Sequence, residues 1–319
     1  MLLALTAIAG GLLLLVFGAD RFVTGAAQTA RHLGLSPLII GMTVVGMATS
    51  APELLVGVVA ALQGKTNIAI GNAIGSNIVN VGLVLGGTVL FLPLAATSKT
   101  LRREILLMFL SIIVAFLLSI DHRLSRVDGL ILVLVLIASI WWTVKLAQST
   151  STEDPLADEL KQELNTVVPF RRSLVPLVLG LILLLAGAEL LVRGSVFVAK
   201  SFGISDLVIG LTIIAIGTSL PELAASVISA LKNEADIAIG NVIGSNMFNM
   251  LMVMGTPSII HPGVFGHEVL IRDFPIMILL TLIMGRKVLI SGHGKFTRID
   301  GGVLVSCFIA YQAFLFFSI

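Results

Sequence analysis

The chain has 319 residues, 57% of them hydrophobic and 12% charged, with a mean hydropathy of +1.07. A soluble globular domain carries roughly 25% charged residues, so this composition excludes one and points to an integral membrane protein. The net charge of +2, spread over loops rather than clustered, leaves no electrostatic footprint for nucleic acid.

A membrane-spanning helix needs about 20 apolar residues, and the chain offers ten such stretches. The first runs from about Leu3 to Ala30, interrupted by Asp20 and Arg21. It starts so close to Met1 that no cleavable signal is expected. The next four run from about Leu38 to Leu62, Ile68 to Leu92, Glu104 to Ile120 and Val127 to Lys145. A polar segment then contains EDPLADELKQEL and reads as a solvated loop. Five further spans follow: about Leu174 to Ala199, Leu207 to Leu231, Ile237 to Ile260, Phe274 to Met284 with flanks, and Gly301 to Phe317. The predicted organisation is therefore 1–147 as one five-helix half, 148–172 as a linker, and 173–319 as the second half. That linker is too short to hold a separate regulatory domain.

The halves repeat each other at a fixed offset of 169 residues. GMTVVGMATSAPELLVG (Gly41 to Gly57) matches GLTIIAIGTSLPELAAS (Gly210 to Ser226), and IAIGNAIGSNIVN (Ile68 to Asn80) matches IAIGNVIGSNMFN (Ile237 to Asn249). GADRFVTGA matches GAELLVRGS, and LGLSPLIIG matches FGISDLVIG. Roughly half of the positions in 41–86 are identical to their partners in 210–255. Five spans per repeat send the second repeat into the membrane from the opposite side. The predicted fold is all-α: ten transmembrane helices as two inverted five-helix repeats, with the substrate near the midplane between them. Thirteen Lys and Arg on one set of loops against six on the other place both termini outside and the 148–172 loop in the cytoplasm of a cell (inner) membrane.

The repeated stretch carries the chemistry. Glu53 and Glu222 sit amid apolar residues, where a carboxylate is costly unless it faces the bundle interior and an ion, proton or water. Thr49 and Ser50 precede Glu53 by four and three residues and share its helical face, as Thr218 and Ser219 do for Glu222. Pro52 and Pro221 weaken each helix one turn back and free backbone carbonyls. Asn72, Ser76 and Asn80 form a polar stripe at spacing four, repeated as Asn241, Ser245 and Asn249. Gly71, Gly75, Gly240 and Gly244 permit close helix contact, and Asn77 and Asn246 lie off the stripe. This donor set is hard oxygen, which suits calcium, with its six to eight oxygens at roughly 2.3–2.6 Å, and also sodium. A transition-metal site is disfavoured because His32, His122, His261, His267 and His293 all sit near span ends or in loops. Cys307 reads as a small buried apolar residue. Asp20 and Glu189 are matched positions for structural or gating ion pairs, with Arg21 and Arg193 nearby, and Asp206 and Asp236 suit helix starts. Two rival functions are a passive cation channel and an intramembrane hydrolase using Ser50 or Ser219. The hydrolase needs a base within reach, and no His or Lys lies near either serine in sequence.

The doubled motifs ATSAPE and GTSLPE, each followed by GNxIGSN, resemble the paired repeats of the calcium/cation antiporter superfamily, in particular its compact prokaryotic sodium/calcium exchangers. The resemblance covers nearly the whole chain. It implies a non-enzymatic antiporter with ten helices that exchanges calcium for sodium by alternating access. Calcium/proton exchange and potassium-dependent exchange are the alternatives. It implies central calcium ligation by Glu53 and Glu222, shared with sodium, and backbone carbonyls from Thr49 and Thr218. It further implies sodium ligation by Ser50, Ser76, Ser219 and Ser245 with the carbonyls of Gly46 and Ala215, and Asn80 and Asn249 lining the centre. No cofactor is implied. The expected partners are calcium, sodium and the lipid bilayer, in a monomer or homo-oligomer. The chain departs from the family pattern at Ala48 (usually Gly), Gly57 (commonly Ser) and Asn249 (often Asp).

Overall fold

The computed structural model describes residues 1–96, 98, 100–150, 170–203, 215–291 and 294–318. Most of the linker, the opening of the seventh predicted span, Asp206 and His293 lie outside the described residues.

Helix α1 (Leu2–Leu33) ends on Gly34, whose φ of 62° lets its N–H turn back onto the carbonyls of Ala30 and Arg31. Ser36 and Pro37 then start α2 (Pro37–Thr49), Ser36 by accepting from the Ile39 N–H and Pro37 by supplying a preset φ. A bend of 43° at Ser50 separates α2 from α3 (Ala51–Leu62), with Pro52 in the first turn beyond the break. The remaining elements of the first half are α4 (Thr66–Phe91), strand β1 (Leu94–Ala96), α5 (Leu101–Leu118), β2 (Arg123–Leu124) and α6 (Arg126–Thr150). The second half has α7 (Phe170–Ser201), α8 (Ala215–Thr218), α9 (Leu220–Leu231), α10 (Ala235–Ile260), β3 (Gly263–Val264), α11 (Phe274–Ser291), β4 (Gly294–Phe296) and α12 (Arg298–Ser318). Among the described residues the predicted bounds of the spans agree with these helices to within a few residues, except that the second span is broken at Ser50 and the seventh, whose opening lies outside the described residues, is broken at Ser219. The predicted linker is helical at both ends, through Thr150 and from Phe170.

Among the described residues six helices are long and apolar enough to cross a membrane, or seven if α2 and α3 count as one span. Their burial is inverted relative to a soluble protein. In α1 and α7, with mean hydropathy 2.4 and 2.5, only 28% of the apolar window is buried. In α10, with mean hydropathy 1.4, 94% of it is buried. The most apolar helices therefore face outward, where lipid is the solvent, and the polar-striped α4 and α10 fill the centre. Trp141, Trp142 and Lys145, with Lys145 Nζ 4.6 Å from the Trp141 ring, sit at one end of α6 as an interfacial anchor does. The chain is a multi-pass, mostly helical membrane protein.

The halves interlock. Strand β1, after α4, pairs antiparallel with β4, just before α12, and β3, after α10, pairs with β2, just before α6. Helix α12 thus packs on α4, with Gly301 against Gly86, and α6 packs on α10, with Gly129 against Gly255. Both last helices begin alike. Ser125 and Asp128 exchange hydrogen bonds at the start of α6, and Thr297 and Asp300 do so at the start of α12, each pair satisfying N–H groups the helix leaves free. Helices α1 and α7 run together along their length. They approach so closely that a Cβ on Gly18 would lie 2.4 Å from the Leu184 nitrogen.

Candidate functional site

The site forms where the two broken segments meet. Ser50 and Ser219 each stand at a break, with φ/ψ of −83°/10° and −92°/7°, outside regular helix. Glu53 and Glu222 follow in the first turns of α3 and α9, and both are fully buried. The breaks aim each serine at the opposite repeat. The Ser50 hydroxyl donates to Glu222 Oε1 at 2.8 Å, and the Ser219 hydroxyl to Glu53 Oε1 at 3.5 Å. One oxygen of each carboxylate is thereby held by a residue more than 160 positions away, while Glu53 Oε2 and Glu222 Oε2 have no hydrogen-bond partner among the described residues.

The central helices complete the arrangement. Asn72 donates to the Glu53 carbonyl at 3.1 Å, and Asn241 to the Glu222 carbonyl at 3.0 Å, so each stripe's first amide braces a helix next to its break. Asn241 also donates to Ser226 at 2.9 Å, a contact Gly57 cannot offer Asn72 in the first repeat. The Thr49 hydroxyl lies within reach of the Val45 and Gly46 carbonyls and of Asn241 Oδ1, at 3.0, 3.2 and 3.2 Å. Ser245 donates to the Gly46 carbonyl at 3.1 Å, tying α10 to α2. Asn80 and Asn249 each open a π-helical turn, Asn80–Leu85 and Asn249–Val253, and both are buried. Asn80 Oδ1 and both side-chain polar atoms of Asn249 lack hydrogen-bond partners among the described residues. A buried polar atom left unpaired costs about 1–3 kcal/mol. Glu53 Oε2, Glu222 Oε2, Asn80 Oδ1 and Asn249 Oδ1, from two matched pairs, share that cost, which an ion, a proton or water would relieve.

Of the predicted site residues, Thr49, Ser50, Glu53, Ser219, Glu222 and Ser245 are buried and joined by the contacts above, with Gly46 buried beside them, while Ser76 and Asn80 on α4 and Asn249 on α10 are buried within the central helices. Thr218 closes α8 next to the break, and Ala215 opens that helix. The amide nitrogens of Asn77 and Asn246 turn into the packing, and their Oδ1 atoms, like those of Asn80 and Asn249, lack hydrogen-bond partners among the described residues. Asn77 donates to the Asn246 carbonyl and faces the Met277 sulfur, and Asn246 faces that of Met108. Asp20 has a different partner from the one nearest in sequence. Arg21 lies over the Phe17 ring, and Asp20 pairs with Lys232 at 2.8 Å, joining α1 to the end of α9. Glu189 pairs with Arg193, as expected. Asp236 lies in the first turn of α10 but accepts from the Ser98 N–H of another segment. Cys307 is only partly buried.

One buried charge escaped the sequence reading. Glu104, read as the edge of a span, is fully buried, paired with Arg103 and approached by the Thr143 hydroxyl at 3.4 Å. Asp273 repeats it at the same offset of 169 residues, paired with Arg272 at 2.6 Å and receiving the Tyr311 hydroxyl at 2.8 Å. That matched Arg-acid pair was the available signal.

The description sodium/calcium exchanger protein matches residues 3–145 and 172–317 of this chain. The CaxA protein of Alkalimonas amylolytica is 46% identical over 323 residues, with all of both chains covered. The sodium/calcium exchanger MaX1 of Methanosarcina acetivorans is 32% identical over 343 residues, covering 96% of this chain and 97% of that one. A solved structure of the sodium/calcium exchanger from Methanococcus jannaschii is similar with a TM-score of 0.84 at 34% identity, covering 98% of each chain. With its duplicated motif, crossed serine–carboxylate contacts and full-length similarity, the chain belongs to the sodium/calcium exchanger protein family.

Proposed function

We propose that the chain is a secondary antiporter that exchanges calcium for sodium by alternating access, spanning the membrane ten times as two inverted five-helix repeats. The observation that carries this reading is the crossed pair of Glu53 and Glu222, each bound through one oxygen by the other repeat's serine and unpartnered at the second. In this reading the two carboxylates take calcium together with the carbonyls of Thr49 and Thr218. Ser50, Ser76, Ser219 and Ser245 serve sodium with the carbonyls of Gly46 and Ala215. Asn80 and Asn249 line the centre. One calcium or two sodium ions balance the charge of the two carboxylates. A third sodium would leave a net positive charge in low dielectric, where unbalanced charge is costly. The amide at Asn249 therefore supports weaker binding of a third sodium than a carboxylate there would give.

The basic bias of the loops supports outside termini and a cytoplasmic 148–172 loop. The test is calcium flux in proteoliposomes under separately imposed sodium, potassium and proton gradients. A sodium gradient alone should drive calcium against its own gradient. Calcium movement driven only by the proton gradient, or only when potassium is added, would replace this reading with one of the alternatives.

A further inference from the structure

Away from the membrane-buried site, two histidines meet at one end of the molecule. His122 lies in the turn between α5 and β2, and His267 lies between β3 and α11. His267 Nδ1 is 3.2 Å from His122 Nε2, with ring centroids 4.9 Å apart. The two residues are 145 positions apart and belong to opposite halves of the chain. Two features fix His122. Its φ of 60° is left-handed, a conformation uncommon for a residue with a side chain and worth a functional explanation where it occurs. Its carbonyl accepts the Phe265 N–H at 3.1 Å, beside the β2–β3 pairing. The backbone thus holds one imidazole against the other across the junction of the two halves.

We propose that His122 and His267 form a binding site for a borderline divalent transition ion, of the class of zinc, nickel or copper, which imidazole nitrogens favour. With metal–nitrogen bonds of about 2.0–2.1 Å at a tetrahedral angle, two ligating nitrogens stand roughly 3.3–3.4 Å apart. The observed separation is close to that, so binding needs the rings to turn their lone pairs from each other toward a common point while the nitrogens keep their spacing. Both facing nitrogens present lone pairs to the ion. In its absence one of the two facing nitrogens carries a proton, and on binding that proton passes to the other nitrogen of the same ring, His122 Nδ1 or His267 Nε2, so that both rings stay neutral. Among the described residues no third His, Cys, Asp or Glu completes a cluster, so water fills the other positions. The hard oxygen donors of the central site and this nitrogen pair therefore select different ions. An ion held here would cross-link the β2–β3 junction and so tie the two halves together at this end.

The test uses the tag-free full-length chain in detergent, titrated with copper(II) and followed by electron paramagnetic resonance. The wild type should bind one copper with the hyperfine signature of nitrogen ligands. H267A, on an exposed position, and H122N, whose Asn tolerates positive φ, should each weaken that binding at least about tenfold. Both variants should leave sodium-driven calcium flux in metal-free buffer unchanged. An H122N/H267A double variant with the same nitrogen signature and affinity as the wild type would overturn the proposal, as would a wild-type spectrum with oxygen ligands only.

Discussion

The closest backbone contact near the site gives the sharpest structural prediction. At Gly244 an added Cβ would lie 2.0 Å from the Met42 carbonyl oxygen and 2.6 Å from the Met42 carbonyl and α carbons. Carbon–oxygen contacts relax only at about 3.3–3.6 Å, so Gly244→Ala must drive α2 and α10 apart by on the order of 1 Å. The obstructing atoms are backbone, so no side-chain rotation relieves the clash. Overpacking of this kind costs roughly 1–3 kcal/mol. The functional cost should be larger, because the next residue, Ser245, bonds the Gly46 carbonyl at 3.1 Å and that contact would be lost. A displacement of 1 Å in a positioned site can cost about a hundredfold in rate. Initial rates of sodium-driven calcium uptake, with thermal unfolding in detergent measured alongside, should show a folded protein with uptake reduced by about that factor. Gly10→Ala is the control, since outside its own helix backbone no described atom lies within 4 Å of an added Cβ. Wild-type uptake by Gly244→Ala would refute the claim that α2 and α10 set the site's geometry.

Three further outcomes follow from the same geometry. Asn249→Asp adds a third carboxylate to the buried cluster, so the sodium dependence of flux should change and become more sensitive to pH, because clustered acids resist ionising together. An unchanged reversal potential and sodium affinity in that variant would show the charge argument wrong. Removing the cation from the Arg103–Glu104 pair should cost more stability than removing the acid, because Glu104 is the fully buried partner. Arg103→Gln should lose roughly 3–5 kcal/mol and Glu104→Gln less, and thermal unfolding with the reverse order would contradict this. A cysteine placed near Glu159 should react with impermeant reagents only from the cytoplasm, and labelling of intact cells would overturn the proposed orientation.

Much of this architecture is legible in the sequence because it is written twice. The offset of 169 residues pairs Glu53 with Glu222 and Asn80 with Asn249 without any structure. Pro52 and Pro221 mark the breaks. Other features depend on contacts between distant segments. Asp20 meets Lys232 from 212 positions away, and reading along one helix offers Arg21 instead. The interlock of the halves rests on strands of two or three residues, too short to register as alternation. The π-helical turns at Asn80 and Asn249 have no pattern distinct from the surrounding α-helix. The bracing of the Glu53 and Glu222 carbonyls by Asn72 and Asn241 becomes visible only once the breaks have freed those helices to meet the central pair.

The central claim is that Glu53 and Glu222 together carry the transported cation. Its most direct test is calcium uptake by Glu53→Gln and Glu222→Gln in proteoliposomes with an imposed sodium gradient. Each substitution keeps the shape of the side chain and removes one of the two charges available to balance calcium. Both variants should fold, since the serine contact can be kept by an amide oxygen, and neither should take up calcium above protein-free vesicles. Wild-type uptake by either one would contradict the assignment.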